Sequence, residues 1–253
     1  MSLGRSLLWV VVPYLALAVF VGGLVWRYRQ GGLDWTTRST QLLERRLLRV
    51  GSLLFHFGLL AVVGGHVLGL IVPKSLTSAA GIPEHVYHVV SVSAGTAAGT
   101  AMTLGFLVLG YRRVRIRAVS VTTSRSDRLV YALLAVVIAT GMLATVGHNL
   151  LGGGYDYRET VAPWFRGIFT LGPDPSLMSG APLVYQLHAL GALALFALWP
   201  FTRLVHAFSI PVTYLRRPPI LYRGSVRAAR RPLVPAALGR RRLAASVPSK
   251  EVD

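Results

Sequence analysis

Apolar residues in this chain follow neither the alternation of a half-buried strand nor the narrow stripe of a surface helix. They come in five long runs, at roughly 7–26, 51–72, 89–110, 129–147 and 185–208. Each run is long enough to cross about 30 Å of hydrocarbon as a helix. The second reads GSLLFHFGLLAVVGGHVLGLIV and the fifth YQLHALGALALFALWPFTRLVHAF; the third and fourth have no acidic residue in their cores. The pattern predicts an all-α integral membrane protein, a bundle of five transmembrane helices. The first run has one basic residue before it, Arg5, and continues directly into VWRYRQ with no small-residue cleavage motif. It is longer than a signal-peptide core and is read as a retained helix.

Charge orients the bundle. The chain has 27 Lys and Arg against 9 Asp and Glu, a formal charge of +18 over 253 residues. The loop after the first run holds Arg27, Arg29, Arg38, Arg45, Arg46 and Arg49. The loop after the third holds Arg112, Arg113, Arg115, Arg117, Arg125 and Arg128. From Arg203 onward the tail adds ten arginines and Lys250, while the opposite side has only Arg5, Lys74, Arg158 and Arg166. Short loops rich in Lys and Arg stay in the cytoplasm, so the N-terminus is expected outside and the C-terminus inside. On a soluble fold such charge would suggest nucleic acid; between apolar runs it reads as a topology signal, and no nucleic-acid partner is expected. The absence of cysteine excludes thiolate-held iron–sulfur clusters and disulfides within this chain.

Four of the seven histidines lie in or at the ends of two runs: His56 and His66 in the second, His188 and His206 in the fifth. Ionisable residues at membrane depth are rare and usually functional; a single one can also serve as a hydrogen-bonding contact between helices. The two runs cross in opposite directions, so His56 is level with His206 near the cytoplasmic surface, and His66 with His188 near the outer one. The crossed pairing is geometrically excluded. Each pair has the parts for one low-spin haem with two axial imidazoles, whereas zinc asks for three or four converging protein ligands. One mismatch remains. His56 and His66 are about 15 Å apart along an ideal helix, but His188 and His206 are about 27 Å apart, and tilt, haem orientation or a kink near Pro200 is expected to absorb the difference.

Small residues flank these positions: Gly58, Gly64, Gly65 and Gly69 in the second run, Gly95, Ala98 and Gly99 in the third, Gly191 after His188. They either clear space for a planar cofactor or serve ordinary close helix packing. Arg203, three residues before His206, faces either a haem propionate or lipid headgroups.

Taken together, LLFHFGLLAVVGGHVLGLIVP at 53–73, YQLHALGALALFALWPFTRLVHAFSIPVTYLRR at 185–217 and STQLLERR at 39–46 resemble the gamma subunit of membrane-bound respiratory nitrate reductase. The resemblance spans about residues 8–217. It implies a cytochrome b anchor in the cytoplasmic (inner) membrane with two haems b, one on His56 and His206 near the cytoplasm and one on His66 and His188 near the outer face. It further implies quinol oxidation at the outer haem and inward electron transfer to an iron–sulfur subunit. A molybdenum-containing catalytic subunit would then reduce nitrate in the cytoplasm.

The chain departs from that family in two places. The family has a lysine just before the third span, associated with the quinol site. Here GIPEHVYHVV supplies Glu84, His85, Tyr87 and His88 instead. Tyr87 is the nearest counterpart, and His85, His88 or His66 are further candidates for the quinol site. The basic segment from Pro218 extends past the resemblance, giving an expected division into a dihaem domain at 1–217 and a cytoplasmic tail at 218–253. In the loop at 148–184, YRETVAPWFRGIF is expected to form a short interfacial helix with Trp164, Phe165 and Phe169 at headgroup depth. Two alternatives stay open: a similar cytochrome b anchor of a sulfur-compound or heterodisulfide-type complex, and a non-redox membrane scaffold or transporter.

Overall fold

A computed structural model describes residues 3–31 and 40–208. Arg38, the SIPVTYLRR motif and the tail at 218–253 lie outside the described residues. Nine helices account for most of the described chain: α1 (Leu3–Gln30), α2 (Arg46–Ile71), α3 (Lys74–Ala79), α4 (Glu84–Arg115), α5 (Arg117–Ser120), α6 (Arg125–Leu150), α7 (Val161–Phe169), α8 (Pro175–Ser179) and α9 (Leu183–Leu198). No strand occurs among the described residues. Five helices are long and apolar enough to cross a membrane: α1, α2, α4, α6, and α9 continued to Phe201.

The fifth span, expected over 185–208 with a kink near Pro200, is broken there outright. Regular α-helix stops at Leu198, a 3₁₀ turn covers Trp199–Phe201, and Thr202 is extended. A second 3₁₀ segment, Arg203–Phe208, then carries His206. Pro200 explains the break, because it lacks an N–H and its ring clashes with the preceding turn. Thr202 restarts the chain: its hydroxyl accepts the Leu204 N–H at 3.3 Å and donates to the Trp199 carbonyl at 3.0 Å.

Neighbouring helices run in the order α2, α4, α6, α9, α1. The closest contact is α2 on α4, and glycines make it possible. A Cβ on Gly58 would lie 2.5 Å from the Met102 amide nitrogen, and one on Gly105 would strike the Phe55 backbone and the Gly51 carbonyl. Gly58 therefore serves helix packing rather than cofactor space, as does Gly99, whose Cβ would meet the Met142 sulfur at 2.5 Å.

Polar pairs close one end, where the loops are rich in arginine. Glu44 caps α2 by accepting the Leu47 and Leu48 N–H groups at 2.7 and 3.1 Å. It also holds Arg112, whose buried guanidinium donates to Glu44 Oε2 and O and to Thr40 Oγ1 and O at 2.6–2.9 Å. Desolvation opposes the Glu44 charge, but these backbone donors and Arg112 outweigh it and hold the carboxyl below its ordinary range. At the start of α6, Ser124 and Asp127 form a reciprocal capping box.

The opposite end is capped by α7, formed at the segment expected to be a short helix. Its tryptophan, expected at headgroup depth, turns into the protein. Trp164 is 3% exposed, packs edge-on against Trp9 at 5.6 Å, and donates its indole N–H to the Trp9 carbonyl at 2.8 Å. The apolar face of α7 turns into the bundle because Ile168 and Met178 complete a buried cluster there. Phe165 is partly buried against this cluster, and Phe169 is exposed.

Candidate functional site: two facing histidine pairs

His56 and His66 sit on α2, ten residues apart; His188 sits on α9 and His206 on the 3₁₀ segment beyond it. Both expected pairs meet. The His56 and His206 ring centroids are 6.2 Å apart at an interplanar angle of 72°, and those of His66 and His188 are 5.9 Å apart at 25°. The helices that carry them do not pack on each other, since α2 rests on α4 while α9 rests on α6 and α1. The imidazoles thus reach toward one another across a gap. One stripe of α2 beside that line is open: Leu60 and Val63, on the His56 face, are 67% and 49% exposed. A Cβ built on Gly64 or Gly65 meets nothing within 4 Å.

The hydrogen bonds fix which ring nitrogen is available. Nδ1 faces a backbone carbonyl in all four cases: Ser52 for His56 and Val62 for His66, both at 2.8 Å, Val137 for His188 at 3.0 Å, and Arg203 for His206 at 2.6 Å. A carbonyl only accepts, so Nδ1 carries the proton and, in the neutral ring, Nε2 keeps its lone pair. That is the arrangement by which proteins orient a metal-binding imidazole. Two imidazoles that shared one metal, at about 2 Å each with the centroid roughly 1.1 Å behind the nitrogen, would have centroids about 6.2 Å apart. Both observed separations are close to this. Among the described residues no three His, Cys, Asp or Glu side chains converge as a protein-only metal site. The residues fit a metal already held in a macrocycle and gripped from both sides.

Sequence reasoning missed the supports of His188. Thr140 on α6 donates its hydroxyl proton to the Val136 carbonyl at 2.7 Å, which leaves its oxygen 3.2 Å from His188 Nδ1 as an acceptor. Gly141 gives the ring room, because a Cβ there would lie 2.9 Å from His188 Cε1. Neither residue carries a motif that marks it. Arg203, expected near a propionate or headgroups, forks onto Asp127 instead, with Nε and Nη2 at 2.5 and 2.7 Å from its two oxygens. Any contact with a propionate would share the guanidinium with that carboxylate.

The remaining candidates start α4 at the opposite end. Tyr87 lies under the Arg158 guanidinium, 3.8 Å from its ring centroid. Arg158 is buried and bonds Thr77 Oγ1 at 2.9 Å and Glu84 at 3.5 Å. Burial first, and then Tyr87, push the Tyr157 phenol above its ordinary range. Tyr157 occupies the space a side chain on Gly69 would fill, about one helical turn beyond His66. His85 and His88 are exposed, with His88 Cε1 3.9 Å from the position of a Cβ on Gly154. His148 packs edge-on to Tyr185 at 6.0 Å.

Five apolar spans and two level imidazole pairs define a multi-pass membrane protein built around stacked two-histidine sites. The family model for the nitrate reductase gamma subunit matches residues 5–225, and the chain belongs to that family. It is 45% identical over 218 residues to the nitrate reductase gamma chain of Bacillus subtilis (strain 168), covering 86% of this chain and 97% of that one. It is 33% identical over 208 residues to the respiratory nitrate reductase 1 gamma chain of Escherichia coli (strain K12), covering 82% and 92%. The nitrate reductase-like protein NarX of Mycobacterium tuberculosis (strain ATCC 25618 / H37Rv) is 50% identical over 219 residues. The aligned part is 86% of this chain but 34% of that protein, so the chain spans about a third of it. The chain is therefore a multi-pass protein of the cell membrane and a member of the nitrate reductase gamma subunit family.

Proposed function

We propose that this chain is a dihaem cytochrome b subunit that oxidises quinol near the outer face and delivers electrons to the cytoplasmic side. The receiving partners are an iron–sulfur subunit and a molybdenum-containing nitrate-reducing subunit. The observation that carries this reading is the two facing histidine pairs, each ring held by a backbone carbonyl at Nδ1. His56 and His206 would hold the haem at the arginine-rich, cytoplasmic end, and His66 and His188 the haem at the outer end. Bound haem supplies one-electron redox chemistry; the protein supplies the axial ligands, a dry setting and the orientation.

Quinol oxidation belongs beside the His66–His188 pair. Tyr157, packed at Gly69 one turn past His66, and Tyr87, under the Arg158 guanidinium, flank that end. They offer hydroxyls to a quinol head, and His85 and His88 are exposed groups on the path of protons to the outside.

Haem content tests the proposal. A pyridine haemochrome assay on the purified membrane complex should return two haems b per chain, with low-spin bis-histidine signals in low-temperature spin resonance. His56→Ala or His206→Ala should remove one haem, and His66→Ala or His188→Ala the other. A folded, cofactor-replete preparation without haem sinks the reading.

A further inference from the structure

The two histidine-bearing elements do not space their ligands alike. His56 and His66 are ten residues apart on one helix, whereas His188 and His206 are eighteen apart across a broken one. Both of the latter are tied to α6, which contributes no histidine to either pair. His188 Nδ1 donates to the Val137 carbonyl and sits beside Thr140 and Gly141. His206 Nδ1 donates to the carbonyl of Arg203, and the Arg203 guanidinium forks onto Asp127. Asp127 is 5% exposed and is itself fixed by the capping box with Ser124 and by Arg113 at 3.4 Å.

The anchor points on α6, Asp127 and Val137, are ten residues apart. That is the interval between His56 and His66, and corresponds to about 15 Å of helix. We infer that α6 is the ruler of the dihaem site, with Asp127 a positioning residue for the cytoplasmic ligand His206, and Thr140 and Gly141 positioning residues for the outer ligand His188. The inference rests on the haem reading above. The chemistry is electrostatic and steric. A bidentate carboxylate–guanidinium fork is directional, so Asp127 aims the Arg203 backbone and through it the imidazole. Gly141 admits the His188 ring, and Thr140 together with the Val137 carbonyl sets its rotation. Groups of this kind outside the ligand set tune both ligand orientation and cofactor properties.

The test is selectivity, read on the full chain in its native complex by haem content, spin resonance and redox titration. Asp127→Asn should shift the signal and midpoint potential of the cytoplasmic haem, or lower its occupancy, and leave the outer haem as in the unmodified protein. Asp127→Glu should restore part of the change. Thr140→Val and Gly141→Ala should do the reverse, altering the outer haem alone. Ser124→Ala removes the Ser124 half of the capping box without touching the Asp127–Arg203 fork, and should move neither haem. Two haems that respond equally to each α6 variant, or to none, overturn the ruler and leave the haem reading intact. A change with Ser124→Ala as large as that with Asp127→Asn also overturns it, since the effect is then helix capping. An unmodified complex without haem removes both.

Discussion

At the arginine-rich end, the closing contacts are ionic and directional: Arg112 is sealed against Glu44 and Thr40, and Asp127 is gripped by Arg203 and Arg113. At the opposite end, the main buried closure is aromatic, Trp9 on Trp164 with Ile168 and Met178; Arg158 is buried there against Thr77 and Glu84, while Lys74, held between Asp156 and Glu159 at 2.8 Å, sits nearer water. The lesson is about tolerance. An ionic fork fails when one partner is lost, because a charge is left buried. An aromatic cluster fails in proportion to the volume removed. The first end should therefore be brittle and the second graded.

The largest effect is expected at Arg112. Its guanidinium uses Nε, Nη1 and Nη2 on the 40–44 loop, so Arg112→Ala strips partners from Glu44 and Thr40 together and uncouples the cap of α2 from α4. Yield of folded protein in the membrane should fall further than for any other substitution considered below. Arg112→Lys should not rescue it, because an ammonium cannot reproduce the fork. Wild-type accumulation of Arg112→Lys, followed by immunoblot and haem stain, removes the claim that this end is brittle.

Next in size is Trp164→Ala, with a loss of about 3–5 kcal/mol on the scale of large-to-small changes in cores. Trp164→Phe should recover much of it, losing the 2.8 Å bond to the Trp9 carbonyl but keeping most of the ring contact. Thermal unfolding in detergent would show the order: wild type, then Phe, then Ala. Equal losses for Phe and Ala would mean that the hydrogen bond, not the volume, closes this end. Between the two ends, Gly105→Ala should cost about 1–3 kcal/mol by overpacking, because the added methyl meets the Phe55 backbone and the Gly51 carbonyl. A neutral result would show that α2 and α4 can slide apart.

The parts legible from sequence are those that lipid itself imposes. Five spans follow from hydropathy, and the histidine pairing follows from the opposite direction of two spans and the level of each residue. Pro200 announced its break, and only the break brings His206 level with His56. The illegible parts depend on one side chain meeting a distant backbone. Thr140 and Gly141 are ordinary in an apolar run, and only three-dimensional contact marks them as the seat of His188. Asp127 carried a readable hint, an acidic residue three positions after Ser124, but its bond to Arg203 spans 76 residues. Trp164 is legible only in part for a related reason: a tryptophan beside a membrane span reads as interfacial, and its packing on Trp9 shows only in three dimensions.

The smallest effect expected is at Lys74, and its form separates the ends more sharply than its size. Hydrogen bonds from Lys74 to Asp156 and Glu159 raise its pKa well above the ordinary lysine value, against a lesser effect of desolvation. A group raised in the folded state contributes its full share of stability below its unfolded pKa and loses it only as pH climbs through the folded one. Between pH 6 and 9 Lys74 stays charged in both states, so the penalty of Lys74→Met should not vary with pH in so far as it comes from lysine titration. The side chain is a third exposed, so that penalty should be under about 1 kcal/mol. It should shrink as salt is raised, because the pairs are open to screening. The sealed Arg112 fork should show little such salt dependence. If the Lys74→Met penalty survives high salt unchanged while that of Arg112→Ala collapses, the assignment of a sealed ionic end and a wet one is reversed.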